Sequence, residues 1–240
     1  MSKTLSLKKL TILGDSLALP RPEDGIVVDD IYSTKLAALP DMIVFNKAKI
    51  SADTSLFLEA EQLYYDIYYS NSEYFILHLG ICDCSPRLFT KKEKKFLSAL
   101  IEIPMFTKRV NTYINNKSKE RLYHTKNRMI QNVPINDFKK NYIRIIEEIK
   151  KSNPVKKIFL INIAVPGEGL IKKSYNIQHL VDNYNKIIHE ISIQYNSITK
   201  LIDVNTFTSK DSNFILKDGH HINKKVHKFI YDIVANSCSG

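Results

Sequence analysis

The sequence predicts a single α/β domain, a three-layer α/β/α sandwich around a parallel sheet of roughly five strands. Three observations predict it. Short apolar runs alternate with amphipathic stretches along the whole chain. The apolar runs are continuous rather than alternating, as strands buried on both faces must be. The chain has 240 residues, 44% of them hydrophobic and 25% charged, enough for one sizeable core. That composition excludes a disordered chain. No stretch approaches the ~20 uninterrupted apolar residues of a membrane-spanning helix. With 7 Gly and 8 Pro, collagen-like and Gly/Pro-rich linker architectures are excluded as well.

The elements follow in order. Residues 7–13 form an apolar run that ends in Gly14-Asp15-Ser16, a strand closed by a turn. Residues 30–39 read as a helix with Ile31, Leu36 and Leu39 apolar, stopped by Pro40. Residues 42–45 are a second strand. Residues 51–69 read as one helix, with Leu56, Leu63 and Ile67 on one side. A third strand at 74–79 ends at Gly80. Residues 91–103 are helical, and 105–131 read as helical pieces with loops. In 136–151, Phe138, Tyr142, Ile145, Ile146 and Ile149 recur at helical spacing. Strands at 157–162 and 198–204 flank a long helix at 174–195, and a helix at 222–235 closes the domain.

The charge is focused. Of the net +10, residues 87–128 carry twelve basic side chains against Glu93, Glu102 and Glu120, which is 12 − 3 = +9. We read 87–131 as a basic helical insertion in a single 1–240 domain, covering the site. Such a surface attracts an anionic carrier or an anionic membrane face; a solvated helical face is the alternative. No helix-turn-helix, zinc-finger or RRM signature accompanies it, which argues against nucleic acid. Three cysteines, two of them in Cys82-Asp83-Cys84, do not make a disulfide framework. No apolar leader precedes the first strand. The expected setting is therefore reducing and cytoplasmic, with a peripheral place at the inner membrane face as a variant.

In an open parallel sheet, sites form beyond the carboxyl ends of the strands. Gly14-Asp15-Ser16, the stretch from Asn46 and Gly80 to Asp83 all fall there. A serine becomes a nucleophile when a base takes its proton and a third group holds that base. Ser16 follows the first strand, and Asp218 and His221 lie three apart just before the last helix. That spacing lets the carboxylate reach the imidazole and set its tautomer. Taken singly, Ser16 and Asp218 also suit helix or turn caps, and His221 a surface histidine. His220 is expected beside the pair or facing solvent. His78, Cys82 and Cys84 offer three metal ligands at most, without a second Cys/His group, and His78 reads as a satisfied core histidine. The tyrosines at 64, 65, 68 and 69 read mainly as core packing, with a sugar-binding wall as the alternative. Gly167-Glu168-Gly169 lacks the rest of a phosphate loop. Neither metal nor organic cofactor is expected.

Gly14-Asp15-Ser16-Leu17 and Asp218-Gly219-His220-His221 resemble the first and last blocks of the SGNH (GDSL) hydrolases. Asn46-Lys47-Ala48 and Gly80-Ile81-Cys82-Asp83 resemble the second and third. The resemblance spans nearly the whole chain and implies that family's flavodoxin-like fold. It implies Ser16 as nucleophile, His221 as general base and Asp218 as its orienting acid. It implies oxyanion and substrate contacts among Asn46, Ala48, Gly80, Cys82 and Asp83, with Arg87 nearby as a source of charge. Two positions depart from the pattern: the second-block glycine is Ala48, and the third-block asparagine is Cys82. A thiol is a poor donor beside an amide. Leu19-Pro20-Arg21-Pro22 and the run from Asp83 to Arg87 resemble a subgroup of bacterial surface-polysaccharide gene clusters. The expected function is removal of an acyl group, O-acetyl in particular, from a carbohydrate. The alternatives are an O-acyltransferase with the same triad and a non-catalytic binding protein on the same fold.

Overall fold

Strands that are apolar on both sides need helices on both sides, and returning helices make the strands parallel. The computed structural model describes residues 7–238; residues 1–6 and 239–240, the ends of the expected domain, lie outside the described residues. Strands β1 (Lys8–Gly14), β2 (Met42–Asn46), β3 (Tyr74–His78), β4 (Lys157–Ile161) and β5 (Thr199–Ile202) form one sheet in the order β2-β1-β3-β4-β5. All four pairings are parallel, with Ile12 level with both Asn46 and Ile76.

The helices are α1 (Tyr32–Ala37), α2 (Ala60–Gln62), α3 (Ile81–Cys84), α4 (Lys91–Ile101), α5 (Pro104–Lys119) and α6 (Arg121–Asn127). They continue with α7 (Ile135–Ser152), α8 (Glu168–Ile171), α9 (Ile177–Gln194), α10 (Val204–Thr208) and α11 (Lys224–Cys238). The two-residue period of the strands divides the core. Leu13, Phe75, Leu77, Ile158 and Leu160 pack with Phe138, Tyr142 and Ile146 of α7 and Val181 and Tyr184 of α9. Their neighbours Leu10, Ile12, Ile76, Phe159 and Ile161 pack with Leu36 of α1 and Val226, Ile230 and Val234 of α11. This is the expected α/β/α sandwich. Its strand order turns outward on both sides of β1, so a crevice opens beyond β1 and β3.

The predicted helix at 51–69 is broken. Residues 52–55 are loop, Leu56–Leu58 is a 3₁₀ turn, and a π-helical turn Leu63–Tyr68 follows α2. Asp53 and Thr54 favour the loop: Asp53 Oδ1 accepts the Ser55 amide at 3.1 Å, and the Thr54 amide bonds Asp83 at 2.9 Å. The tyrosine reading also changes. Leu63 and Ile67 take the buried stripe, and Tyr64, Tyr65 and Tyr69 are 52%, 64% and 67% exposed. One helical face holds only one such stripe, so the tyrosines between its members turn outward. Tyr68 instead donates its hydroxyl to Glu148 of α7 at 2.8 Å. The predicted 174–195 helix starts later, at Ile177, because Asn176 sits at φ 55.

Between β3 and α7, α4 buries no residue, α5 only Val110 and α6 only Thr125. These three helices stand outside both halves of the core. A capping box starts α4: Thr90 Oγ1 accepts the Glu93 amide, and Glu93 accepts the Thr90 amide.

Candidate active site

The turn after β1 is built by Asp15. Its Oδ1 accepts the Leu17 amide at 2.8 Å, which starts a 3₁₀ turn at Ser16. The Asp15 amide reaches the His78 carbonyl at 3.3 Å and ties the turn to β3. The loop before α11 is built by Asp218. Its Oδ1 accepts the amides of His220 and His221, each at 3.1 Å. Gly219, at φ 89, supplies the left-handed residue that this tight loop needs.

These two turns meet. His221 Nδ1–H donates to Asp218 Oδ2 at 2.5 Å, and the Ser16 hydroxyl donates to His221 Nε2 at 2.9 Å. With the ring proton held at Nδ1, Nε2 presents its lone pair to Ser16. Desolvation pushes the Asp218 carboxyl up. The hydrogen bonds from the His221 ring and the His220 and His221 amides outweigh it and leave the group far below the usual carboxylate range. A permanent anion therefore lies behind the imidazole, ready to stabilise an imidazolium. His220 packs its ring 4.1 Å from that of His221. Desolvation first, then His221, lowers its pKa to about 4.

Ser16 opens into a cavity of about 260 Å³, shared with Ser51, Ile81, Cys82, Ser85, Arg87, Arg121, Leu170, Lys173 and His220. A larger cavity of about 560 Å³, bounded by residues between 165 and 172 and between 208 and 217, contains none of the three side chains of the relay.

Of the six expected oxyanion and substrate residues, Cys82 and Arg87 line the cavity; the other four do not. The Ala48 amide is turned to Asn46 Oδ1 at 3.1 Å, so it is already engaged. Asn46 Nδ2 donates to the Ala18 carbonyl at 3.0 Å and to Ser33 Oγ at 3.2 Å, tying the loop after β2 to the Ser16 turn. Gly80 sits at φ 137, and a Cβ there would come within 2.8 Å of Ile163; its place is a backbone bend before α3. Asp83 is fully buried, its Oδ1 accepting the Thr54 amide and hydroxyl at 2.9 and 2.6 Å. These four residues position the site's loops. His78 is a buried core histidine as expected, with Nδ1 3.2 Å from the Tyr32 hydroxyl.

Sequence reasoning missed Ser51, Arg121 and Lys173 as cavity residues, and Arg21 as a neighbour of the relay. Arg21 Nη1 lies 3.3 Å from His221 Nε2, while Asp24 and Glu23 hold its guanidinium at 2.7 and 3.2 Å. The one sequence signal for Arg21 is its place between Pro20 and Pro22, four to six residues past Ser16.

Two buried acids near the site make stability depend on pH. Burial pushes Asp83 up to about 7 against the pull of the Thr54 hydroxyl and amide. Burial likewise pushes Asp15 up to about 6 against the Leu17 amide. The folded chain thus keeps protons that the unfolded chain releases above the ordinary value near 3.8. The stabilising preference is complete below that value and is lost as pH rises toward about 7. Across this window each group is expected to cost up to about 1.4 kcal/mol per pH unit. Burial lowers His78, His220 and His227, which pull the other way below about pH 6.5. The decline due to Asp83 is therefore read as the difference in slope between Asp83→Asn and the unmodified chain in urea unfolding from pH 4.5 to 7.5. An unchanged slope in that variant would exclude Asp83 as its source.

Fold and site together define a three-layer α/β/α chain with a Ser–His–Asp relay at the switch point of its sheet. No protein-family model matches the sequence, and no curated protein sequence matches it. Solved structures do match. A lipase/acylhydrolase from Enterococcus faecalis superposes with a TM-score of 0.63 at 15% identity, covering 96% of this chain and 95% of its own. Axe2, an acetylxylan esterase from Geobacillus stearothermophilus, gives a TM-score of 0.60 at 14% identity, covering 99% of this chain and 97% of its own. The acetyl xylan esterase AlAXEase gives 0.59 at 16% identity, covering 95% and 98%. The shared property at these identities is the fold, the three-layer α/β/α sandwich with a parallel sheet that the sequence predicted.

Proposed function

We propose that the chain is a serine esterase that removes an acyl group, O-acetyl in particular, from a carbohydrate. The observation that carries this reading is the unbroken relay from Ser16 Oγ through His221 to Asp218. Ser16 Oγ attacks the acyl carbonyl while His221 Nε2 takes its proton. The tetrahedral intermediate collapses, and the imidazolium returns that proton to the departing sugar oxygen. Water, deprotonated by His221, then cleaves the acyl-enzyme to carboxylic acid and free Ser16. The acetylxylan esterases among the structural neighbours support an acetylated carbohydrate as substrate. The test is turnover of p-nitrophenyl acetate together with labelling of Ser16 by a fluorophosphonate. Folded protein that does neither would refute the esterase reading.

The weak point of the site is its oxyanion hole. The amide of Ser16, at the start of a helical turn, is free of an intrahelical acceptor. The Ala48 amide is engaged. Burial, then Asp15, raises the Cys82 thiol far above its usual range, so it stays neutral. Buried Asp15 Oδ2 beside it has no hydrogen-bond partner. An asparagine at 82 would give one N–H to that oxygen and offer the other to the cavity. Cys82→Asn is therefore expected to raise kcat by up to about 10²–10³-fold, the value of one oxyanion donor. Unchanged or lower kcat in the folded variant would show that the cavity supplies the donor elsewhere.

An O-acyltransferase of bacterial surface-polysaccharide biosynthesis is the second reading, favoured by the cation-lined cavity and the basic 87–128 stretch. Either feature suits an anionic acyl donor or a lipid-linked acceptor. Among the described residues no helix is long and apolar enough to cross a membrane. A cytoplasmic place, at the inner membrane face in one variant, belongs to this proposal and is supported by three buried free thiols.

A further inference from the structure

The geometry points to an anionic substrate: the ester that Ser16 attacks sits on a molecule carrying a carboxylate or phosphate, which Arg87 and Arg121 hold. This inference rests on the esterase reading and gives it a substrate class.

The cavity that Ser16 enters has Arg87, Arg121 and Lys173 in its wall and no carboxylate. Each guanidinium is only partly used. Arg87 Nη2 donates to the Cys82 carbonyl at 2.9 Å, and Arg121 Nη2 to the Pro86 carbonyl at 2.7 Å. The Nε of each is buried without a hydrogen-bond partner. Among the described residues neither arginine makes an ion pair, although acids nearby are paired with others: Asp53 with Lys91 at 2.9 Å and Glu93 with Arg128 at 3.0 Å.

The two arginines also feel each other. Burial first, and then the charge of Arg87, lowers the Arg121 guanidinium below its usual range. Lys94 is lowered in the same way by desolvation, then by Arg87 and Arg121. Converging cations with unfilled donors are costly until an anion joins them. A planar carboxylate or a phosphate offers several acceptors to two guanidiniums at once. A purely structural pair would need no opening to the nucleophile, yet both side chains face the same small space as Ser16. At about 260 Å³ that space requires the anion and the ester to belong to one small unit, such as one acidic or phosphorylated sugar residue.

The test uses three acetate esters of matched leaving groups: phenyl acetate, 3-acetoxybenzoate and 3-acetoxyphenyl phosphate. For the unmodified chain, kcat/KM for at least one anionic ester should exceed that for phenyl acetate by at least about tenfold. The better of the two identifies carboxylate or phosphate. That ratio should collapse toward one in Arg87→Gln and Arg121→Gln and persist in Arg128→Gln. Because either cavity variant can misfold, inhibition is measured on the unmodified chain as well. Phenyl phosphate or 3-hydroxybenzoate should inhibit phenyl acetate turnover where phenol does not, and added salt should relieve it. Equal kcat/KM for all three esters, without anion-specific inhibition, would overturn the anionic substrate while leaving the esterase standing. Calorimetry of phenyl phosphate and 3-hydroxybenzoate separates the opposite failure. Binding without turnover of any ester would overturn the esterase reading and retain the anion site; no binding overturns the anion site.

Discussion

Ser16→Ala is expected to lower turnover of p-nitrophenyl acetate by about 10⁴–10⁶-fold while the fold persists. The fold persists because the turn does not depend on that hydroxyl. Asp15 holds it through the Leu17 amide and the His78 carbonyl, and Ser16 Oγ reaches His221 alone among the described residues. The rate falls because the variant lacks the atom that forms the acyl-enzyme. The fluorophosphonate adduct should vanish with it. Activity within tenfold of the unmodified chain would remove Ser16 from the chemistry and place the nucleophile elsewhere.

Asp218→Asn is expected to lower kcat by about 10⁴-fold with only a modest loss of thermal stability. The carboxylate has two separate tasks. Oδ1 braces the loop by accepting the His220 and His221 amides, and an asparagine oxygen still accepts them, though more weakly without the charge. Oδ2 receives the His221 ring proton. An amide nitrogen there would donate to Nδ1, push the ring proton to Nε2 and leave Ser16 facing a donor. It would also remove the anion that stabilises the imidazolium. A large loss of kcat in a variant that remains folded at the assay temperature separates this role from simple bracing. Equal loss of stability and activity would make Asp218 a loop cap.

The two rate predictions and the anionic-ester test address different atoms. In the proposed mechanism Ser16 and Asp218 decide whether acyl transfer occurs at all. The proposed anion site, Arg87 with Arg121, decides which ester is chosen, so its signature is a ratio between substrates. Cys82→Asn asks how well developing charge on the carbonyl oxygen is met.

Much of the fold was legible because burial on both faces leaves a mark on a strand. The run at 74–78 has no polar residue before His78, and all five of its residues are buried. The breaks were less legible where side chains compete with the backbone. Asp53 and Thr54 end a helical pattern through hydrogen bonds, one of them to a residue 29 positions away. The tyrosines at 64, 65 and 69 satisfy helical spacing, yet spacing says only that residues share a stripe, not which stripe meets the core.

The sequence by itself determined the sandwich and pointed to the members of the relay. The sandwich follows from a local rule, apolar continuity in the strands. The relay was singled out from turn caps and a surface histidine by the turn triplet after the first strand, the Asp-x-x-His spacing before the last helix and the family resemblance those blocks carry. Only the tertiary structure decided the rest of the wall. Arg121 and Lys173 join the expected Arg87 from separate segments, and nothing in their neighbours along the chain records that they converge. The structure likewise turned the Ala48 amide to Asn46 and the Asp83 carboxylate to Thr54. A buried polar group takes whichever partner folding brings within about 3 Å, and that choice is made in space rather than along the chain.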